Sequence, residues 1–192
     1  IYIGAGTSGR LGVLDASECP PTYGVSPEVV QGHIAGGDEA LRNSVEGAED
    51  DAAAGEALIE RLQVSERDTV LGISASGSAS FVIAAIKKAR ARGAFTAALT
   101  ANSGTKLAAA AKVEIAVLTG PEVVAGSTRM KCGTAQKMVL NMISTAAMLR
   151  LGYAKGGVMH QMRAVNEKLR ERAVRIVMQE TGRGQDNVRT AL

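Results

Sequence analysis

The sequence predicts an α/β fold: a three-layer arrangement in which a parallel β-sheet is flanked by helices, followed by long helices towards the end of the chain. Two observations predict it. Short apolar segments alternate with helical segments along most of the 192 residues, which is typical of a parallel sheet covered on both faces. Twice, a buried strand leads directly into a loop rich in glycine and hydroxyl side chains and then into a helix. We expect such loops to form the binding site.

The first such unit is a strand ending at Ile3, a glycine-rich loop over residues 4–9 and a helix that we expect to stop at Glu18, before the double proline 20–21. The loop also matches the dinucleotide pattern Gly-x-Gly-x-x-Gly. That pattern needs a full helix and an acid at the end of the second strand, and the strand here ends in Gly36 and Gly37. A phosphate site is therefore favoured over a dinucleotide site.

The other elements follow from apolar periodicity and from turn and cap residues. In order, we predict a strand at 29–35, a short helix at 38–43 with Asp38 as its N-cap, a helix from about 46 to 62, a turn at 65–68, a strand at 69–73, the second hydroxyl-rich loop at 74–80, a helix at 81–92, a strand at 94–100, a short helix at 105–111, a strand at 113–118, a long helix at 127–151 and a final amphipathic helix at 158–180.

The composition fits one domain with a sizeable core, since 46% of the residues are hydrophobic. The net charge of +3 is spread along the chain and only 3% of residues are aromatic, so we expect no nucleic-acid partner. Cys19 and Cys132 are far apart, and His33 and His160 are isolated, so we expect no metal and no disulfide, as in a reduced, cytoplasmic protein. No apolar run reaches the length of a membrane span.

The two hydroxyl-rich loops predict one pocket for one phosphate monoester, because helix amides and hydroxyls donate hydrogen bonds to phosphate oxygens. Serine and glycine are also good turn and cap formers, so one loop alone would not favour function. Two such loops at equivalent positions of a parallel sheet favour a binding function. The candidate ligands are Gly6, Thr7, Ser8 and Arg10 in the first unit and Ser74, Ser76, Gly77 and Ser78 in the second.

Two carboxyls are candidates for general acid and base catalysis. Glu18 lies among small and apolar neighbours, which predicts a partly desolvated carboxyl, and Glu49 adjoins Asp50 and Asp51. Acids near helix ends are more often solvated charges or caps. The spacing alone does not show that these two face one substrate.

The start of the long helix, residues 127–137, is polar where a core-facing helix is usually apolar. It either caps the helix or lines the pocket, where Ser127, Arg129, Lys131 and Gln136 would reach a sugar phosphate. No histidine lies near Cys132 in the sequence, which argues against a nucleophilic thiol.

Four segments, residues 4–24, 34–37, 46–50 and 120–137, resemble the N-acetylmuramic acid 6-phosphate etherase family of the sugar isomerase (SIS) superfamily. The resemblance implies a SIS-type fold and cleavage of the D-lactyl ether of a sugar phosphate in cell-wall amino sugar recycling, without a cofactor. It also implies a homodimer whose pocket the partner subunit completes. Glu18 matches the family's proton-donating glutamate and Glu49 its second active-site glutamate, the expected base, although the two roles could be exchanged or shared.

The sequence also departs from the family pattern. The second loop usually reads ASGRTP, whereas residues 75–80 lack its arginine, threonine and proline, and serine does not restore the charge of arginine. In the final helix Gln161 stands where an aspartate is common, while Asn166 and Glu167 match. We assign residues 1–180 to one SIS-type domain and 181–192 to the start of a C-terminal helical region, and we expect the chain to be a fragment.

A non-catalytic function remains open beside the lyase. The related glucokinase regulatory protein and SIS-bearing transcription regulators sense sugar phosphates. The altered second loop favours such a sensor, whereas retention of both Glu18 and Glu49 favours the lyase.

Overall fold

A computed structural model describes residues 1–154, 157–159 and 167–191. Its five strands form one sheet in which every neighbouring pair is parallel. The strands are β1 (Tyr2–Gly4), β2 (Gly32–Ile34), β3 (Thr69–Ile73), β4 (Phe95–Thr100) and β5 (Val113–Ala116). The predicted parallel α/β fold is confirmed.

Helices cover both faces of the sheet. They are α1 (Gly6–Tyr23), α2 (Ala52–Arg61), α3 (Ser80–Ala91), α4 (Lys106–Ala110), α5 (Lys131–Arg150), α6 (Glu167–Thr181) and α7 (Gln185–Ala191), with 3₁₀ turns at Asp38–Leu41 and Ala48–Asp50. Alternate strand residues point to opposite faces. Tyr2 and Leu71 therefore pack with Leu140 of α5 on one face, while Ile3 and Val70 pack with α3 on the other.

The strand order is β2-β1-β3-β4-β5, which places β1 beside β3 with Gly4 opposite Ile73. The chain adds β2 on one side of β1 and β3 on the other, so the sheet changes its direction of growth between β1 and β3. Ligands of open parallel sheets bind at such switch points, outside the carboxyl ends of the strands. The two hydroxyl-rich loops follow β1 and β3, and they are neighbours at this edge.

The predicted end of the first helix at Glu18 is wrong. Helix α1 continues through Pro20 and Pro21 to Tyr23, and Gly24 then ends it in a left-handed conformation, donating its N–H to the Pro20 carbonyl at 2.9 Å. The prolines remove two helical N–H groups from the last turn. Burial of Cys19 and Tyr23 against Met148 offsets this loss.

Three other predicted boundaries also differ. Asp38 is not an N-cap, because Gly37 holds that position and no side chain bonds there. The helix predicted from residue 46 is split: Glu49 lies in the 3₁₀ turn Ala48–Asp50, and α2 starts only after Asp51, which accepts from the Ala54 N–H at 2.9 Å. The long helix α5 begins at Lys131 rather than at residue 127.

The amphipathic helix predicted from residue 158 is α6, whose described part is Glu167–Thr181, and α7 follows it. His160, Gln161 and Asn166 lie outside the described residues. In α7, Val188 is buried, as is Val174 of α6. Across the ranges that the structure describes, no helix has both the length and the apolar character to cross a membrane.

Candidate functional site

The first loop joins β1 to α1 by direct backbone contact. A Cβ on Gly4 would lie 2.6 Å from the Gly9 nitrogen, so only glycine allows the strand and the helix to approach this closely. The N-cap residue of α1 is Ala5, and no side chain caps the helix there. The first amides of α1 are therefore available to an anion at the carboxyl edge of the sheet.

The second loop is ordered by its own serines. The buried Ser74 hydroxyl accepts from the Gly77 N–H at 3.1 Å, and the exposed Ser76 and Ser78 hydroxyls share a hydrogen bond of 2.7 Å. Gly77 has a φ of +67°, and a Cβ there would lie 2.4 Å from the Thr105 side chain. Helix α3 starts after this loop, also without a side-chain cap.

The start of α5 lies beside the first loop. A Cβ on Gly133 would lie 3.4 Å from the Thr7 methyl carbon. Gln136 is 2% exposed and accepts a hydrogen bond of 2.9 Å from the Ser8 hydroxyl. Ser8 is also buried, so the pair joins α1 to α5 inside the protein. Of the other candidates, Ser127 and Arg129 lie in the turn before α5, and Lys131 is its first residue.

Glu122 caps α5 and was missed by the sequence reasoning. Its carboxylate accepts from the Cys132 N–H at 3.0 Å and from the Lys131 N–H at 3.1 Å. These backbone hydrogen bonds lower the pKa of Glu122, and the bond from Cys132 has the largest effect. The charges of Lys131 and Arg129 lower this pKa further. The N-terminus of α5 thus already holds an anionic group, whereas those of α1 and α3 do not. An acid nine residues before its helix gave no local signal.

A cavity of about 220 Å³ opens next to the first loop. Its lining consists of Ala5, Gly6, Arg10, Ala35, Ala40 and residues 43–49. Arg10 donates from Nε to the Leu41 carbonyl at 3.0 Å, and so holds the far wall of the cavity against α1. Glu49 lies in this lining, near the first loop.

Glu18 lies elsewhere. It is exposed on α1, not desolvated as its neighbours suggested, and it is absent from the cavity lining. Twelve residues separate it from Gly6 at the start of the helix, which corresponds to about 18 Å along the helix axis. One chain therefore brings Glu49, Gly6 and Arg10 together but leaves Glu18 apart from them.

Both cysteines are free and buried. Burial, reinforced by Asp15 and Glu18, raises the pKa of Cys19 to about 11. Burial also raises the pKa of Cys132, and the charge of Glu122 adds to it. A nucleophilic thiol needs a lowered pKa, so neither cysteine is set up to attack a substrate.

The SIS domain family model matches residues 48–146, which is just over half of the chain. The chain belongs to the SIS domain family. The model of the glucokinase regulatory protein N-terminal SIS domain matches residues 1–90. Together the two matches cover the sheet, both hydroxyl-rich loops and most of α5.

Curated relatives carry the name that the sequence resemblance suggested. The N-acetylmuramic acid 6-phosphate etherase of Christiangramia forsetii is 57% identical over 93% of this chain. Those of Jannaschia sp. and Symbiobacterium thermophilum are 56% and 58% identical over its whole length. The resemblance to this family is confirmed. The chain spans 61–65% of the length of these three relatives.

Solved structures share the SIS fold at low identity. A protein of E. coli CFT073 in complex with A5P has a TM-score of 0.56 and 16% identity, with 81% of this chain and 72% of that chain covered. The Vibrio vulnificus NanR protein complexed with ManNAc-6P has a TM-score of 0.52 and 15% identity, with 95% and 57% covered. At this level of identity the likeness concerns the fold.

Proposed function

We propose that this protein cleaves the D-lactyl ether of N-acetylmuramic acid 6-phosphate, giving N-acetylglucosamine 6-phosphate and D-lactate, in cell-wall amino sugar recycling. The observation that carries the proposal is the 57% identity to a relative named for this etherase activity. The site supports it, because a cavity lined by Arg10, Glu46 and Glu49 adjoins the uncapped N-terminus of α1 at the switch point of the sheet.

The phosphate binds across the loops after β1 and β3. The amides at the start of α1 and α3 lack side-chain caps, and the exposed hydroxyls of Ser76 and Ser78 stand beside them. In this arrangement we do not assign phosphate contacts to the side chains of Ser8 and Gln136, because they bond each other in the interior. Two structural neighbours carry phosphosugars in their names, A5P and ManNAc-6P, which supports this substrate class.

The reaction needs one base and one acid. In the open-chain aldehyde the carbonyl acidifies the C2 proton, and a base removes it. The C3–O bond then breaks, and the acid protonates the leaving lactyl oxygen, so that an unsaturated aldehyde and lactate result. Water adds its oxygen to C3 and a proton returns to C2. We assign the base role to Glu49, which lines the cavity, and the acid role to Glu18. No cofactor is required for these steps.

A homodimer reconciles these roles with the position of Glu18. About 18 Å of helix separates Glu18 from the first loop of its own chain, whereas a catalytic acid must come within hydrogen-bond reach of its substrate. We propose that each chain supplies Glu18 to the pocket of its partner. We also propose a cytoplasmic location, because both cysteines are free thiols.

Release of D-lactate from N-acetylmuramic acid 6-phosphate, followed with a lactate-specific enzyme assay, tests the function. We expect Glu18→Gln and Glu49→Gln each to lower the rate about 10²–10⁴-fold, while both variants still bind N-acetylglucosamine 6-phosphate. Glu56→Gln, an exposed acid on α2, is the matched control and should keep full activity. Sugar phosphate binding by the wild type without any lactate would instead support a non-catalytic sensor.

A further inference from the structure

The second hydroxyl-rich loop contains no basic residue between Ser74 and Ser80. Its serines donate hydrogen bonds but leave the charge of a bound phosphate without a countercharge at this side of the site. Resting on the proposed function, we propose that Lys106, the first residue of α4, binds the substrate phosphate together with this loop.

The loops after β3 and β4 are joined at the point where Lys106 lies. The Leu107 N–H donates to the Gly77 carbonyl at 3.0 Å, and the Thr105 side chain packs where a Gly77 Cβ would be. Asn102 adds a third link, donating from its side chain to the Ala75 carbonyl at 3.2 Å. Lys106 therefore lies between Thr105 and Leu107 in the chain, and both of these residues contact Gly77. Gly77 is the loop residue immediately before Ser78.

The direction of α4 favours contact with the same edge of the sheet. Helical side chains lean towards the N-terminus of their helix. Helix α4 starts just beyond the carboxyl end of β4, next to β3 in the sheet. The four-carbon stem of lysine is flexible, so in the proposed complex the ammonium group extends towards a phosphate held at the exposed hydroxyls of Ser76 and Ser78.

The ammonium group of Lys106 is also available to a ligand. It is exposed and, within the ranges that the structure describes, takes part in no ion pair. Its neighbours among the lysines are occupied: Lys88 pairs with Glu60 at 2.7 Å, and the Lys112 ammonium lies 5.2 Å from the centre of the Phe95 ring. An ammonium group without an internal partner can bind a phosphate without first breaking an existing contact.

Binding of N-acetylglucosamine 6-phosphate, measured by calorimetry alongside lactate release, tests this assignment. We expect Lys106→Ala to weaken sugar phosphate binding about tenfold, the loss of one charge-assisted hydrogen bond, and to raise KM with kcat nearly unchanged. Lys106→Arg should retain the affinity. Adding Ser78→Arg to Lys106→Ala should restore it, because the cation then stands in the loop itself. Lys87→Ala, an exposed lysine on α3, is the matched control.

Wild-type affinity in Lys106→Ala, with lactate still released, would overturn the role of Lys106 and leave the proposed function intact. A tenfold loss that Ser78→Arg does not restore, or that appears equally with unphosphorylated N-acetylglucosamine, would also overturn it. If the wild type itself failed to bind the sugar phosphate, both proposals would fall together, and the wild-type titration alone would reveal this.

Discussion

Mixed dimers test the proposal that this protein is a homodimer whose two glutamates act across the subunit boundary. Glu49 lines the cavity, while Glu18 lies twelve residues beyond Gly6 on α1. At 1.5 Å per residue the separation is about 18 Å, and a proton donor must approach its acceptor to about 3 Å. A glutamate side chain cannot span that difference. Glu18→Gln and Glu49→Gln homodimers should therefore each be inactive, while a dimer that contains one chain of each kind has one complete pocket.

Co-expression of the two variants with different tags provides the assay. Random pairing makes half of the dimers mixed, and each of these has one working site of two, so we expect about a quarter of the wild-type specific activity. Co-expression of Glu18→Gln with a chain that carries both substitutions supplies no Glu18 and should stay inactive. A mixture of the single variants with no activity above the sum of its parts would refute catalysis across the interface.

Three further predictions concern the loops and the thiols. Gly77→Ala should lower the free energy of unfolding by about 2–4 kcal/mol, because the new Cβ would be strained at positive φ and would clash with the Thr105 side chain. Gly104→Ala should lower it by about 1 kcal/mol, because Gly104 has a φ of +65° but open space around it. Equal shifts of the urea midpoint in the two variants would contradict the packing of Thr105 on Gly77. Glu122→Gln should be less stable than the wild type at neutral pH, because the cap requires the carboxylate. This difference in stability should vanish as the pH falls below the ordinary carboxyl pKa of 4.5 and through the lowered pKa of Glu122 in the folded protein. A difference that does not depend on pH in acid unfolding curves would contradict this. Cys19 and Cys132 should react slowly with a thiol reagent at pH 8 in the folded protein and readily once it is unfolded, since burial raises the pKa of both thiols.

The sheet and its loops could be predicted because their signals are local. Apolar runs such as residues 69–73, followed by glycine and serine, define a strand and its loop without reference to the rest of the chain. The strand order has no such signal. The pairing of β1 with both β2 and β3 depends on contacts between segments that are distant in the sequence. This pairing makes the two hydroxyl-rich loops neighbours.

Tertiary contacts explain what the sequence reasoning missed. Helix α1 continues through two prolines because Tyr23 packs on Met148, far along the chain. The Ser8–Gln136 hydrogen bond joins residues 128 positions apart, so the buried state of both side chains could not be inferred from their polar neighbours. The exposure of Glu18 depends on which face of α1 meets α5, and a helix predicted to end at residue 18 leaves that face undefined.

Isotope labelling of the products tests the proposed elimination and water addition most directly. The protein would be incubated with N-acetylmuramic acid 6-phosphate in water enriched in ¹⁸O and deuterium, and both products would be examined by mass spectrometry and NMR. We predict ¹⁸O on C3 and deuterium on C2 of N-acetylglucosamine 6-phosphate, and unlabelled ether oxygen in D-lactate, because the C3–O bond breaks. Label in the hydroxyl oxygen of lactate, or the absence of any lactate, would contradict the mechanism.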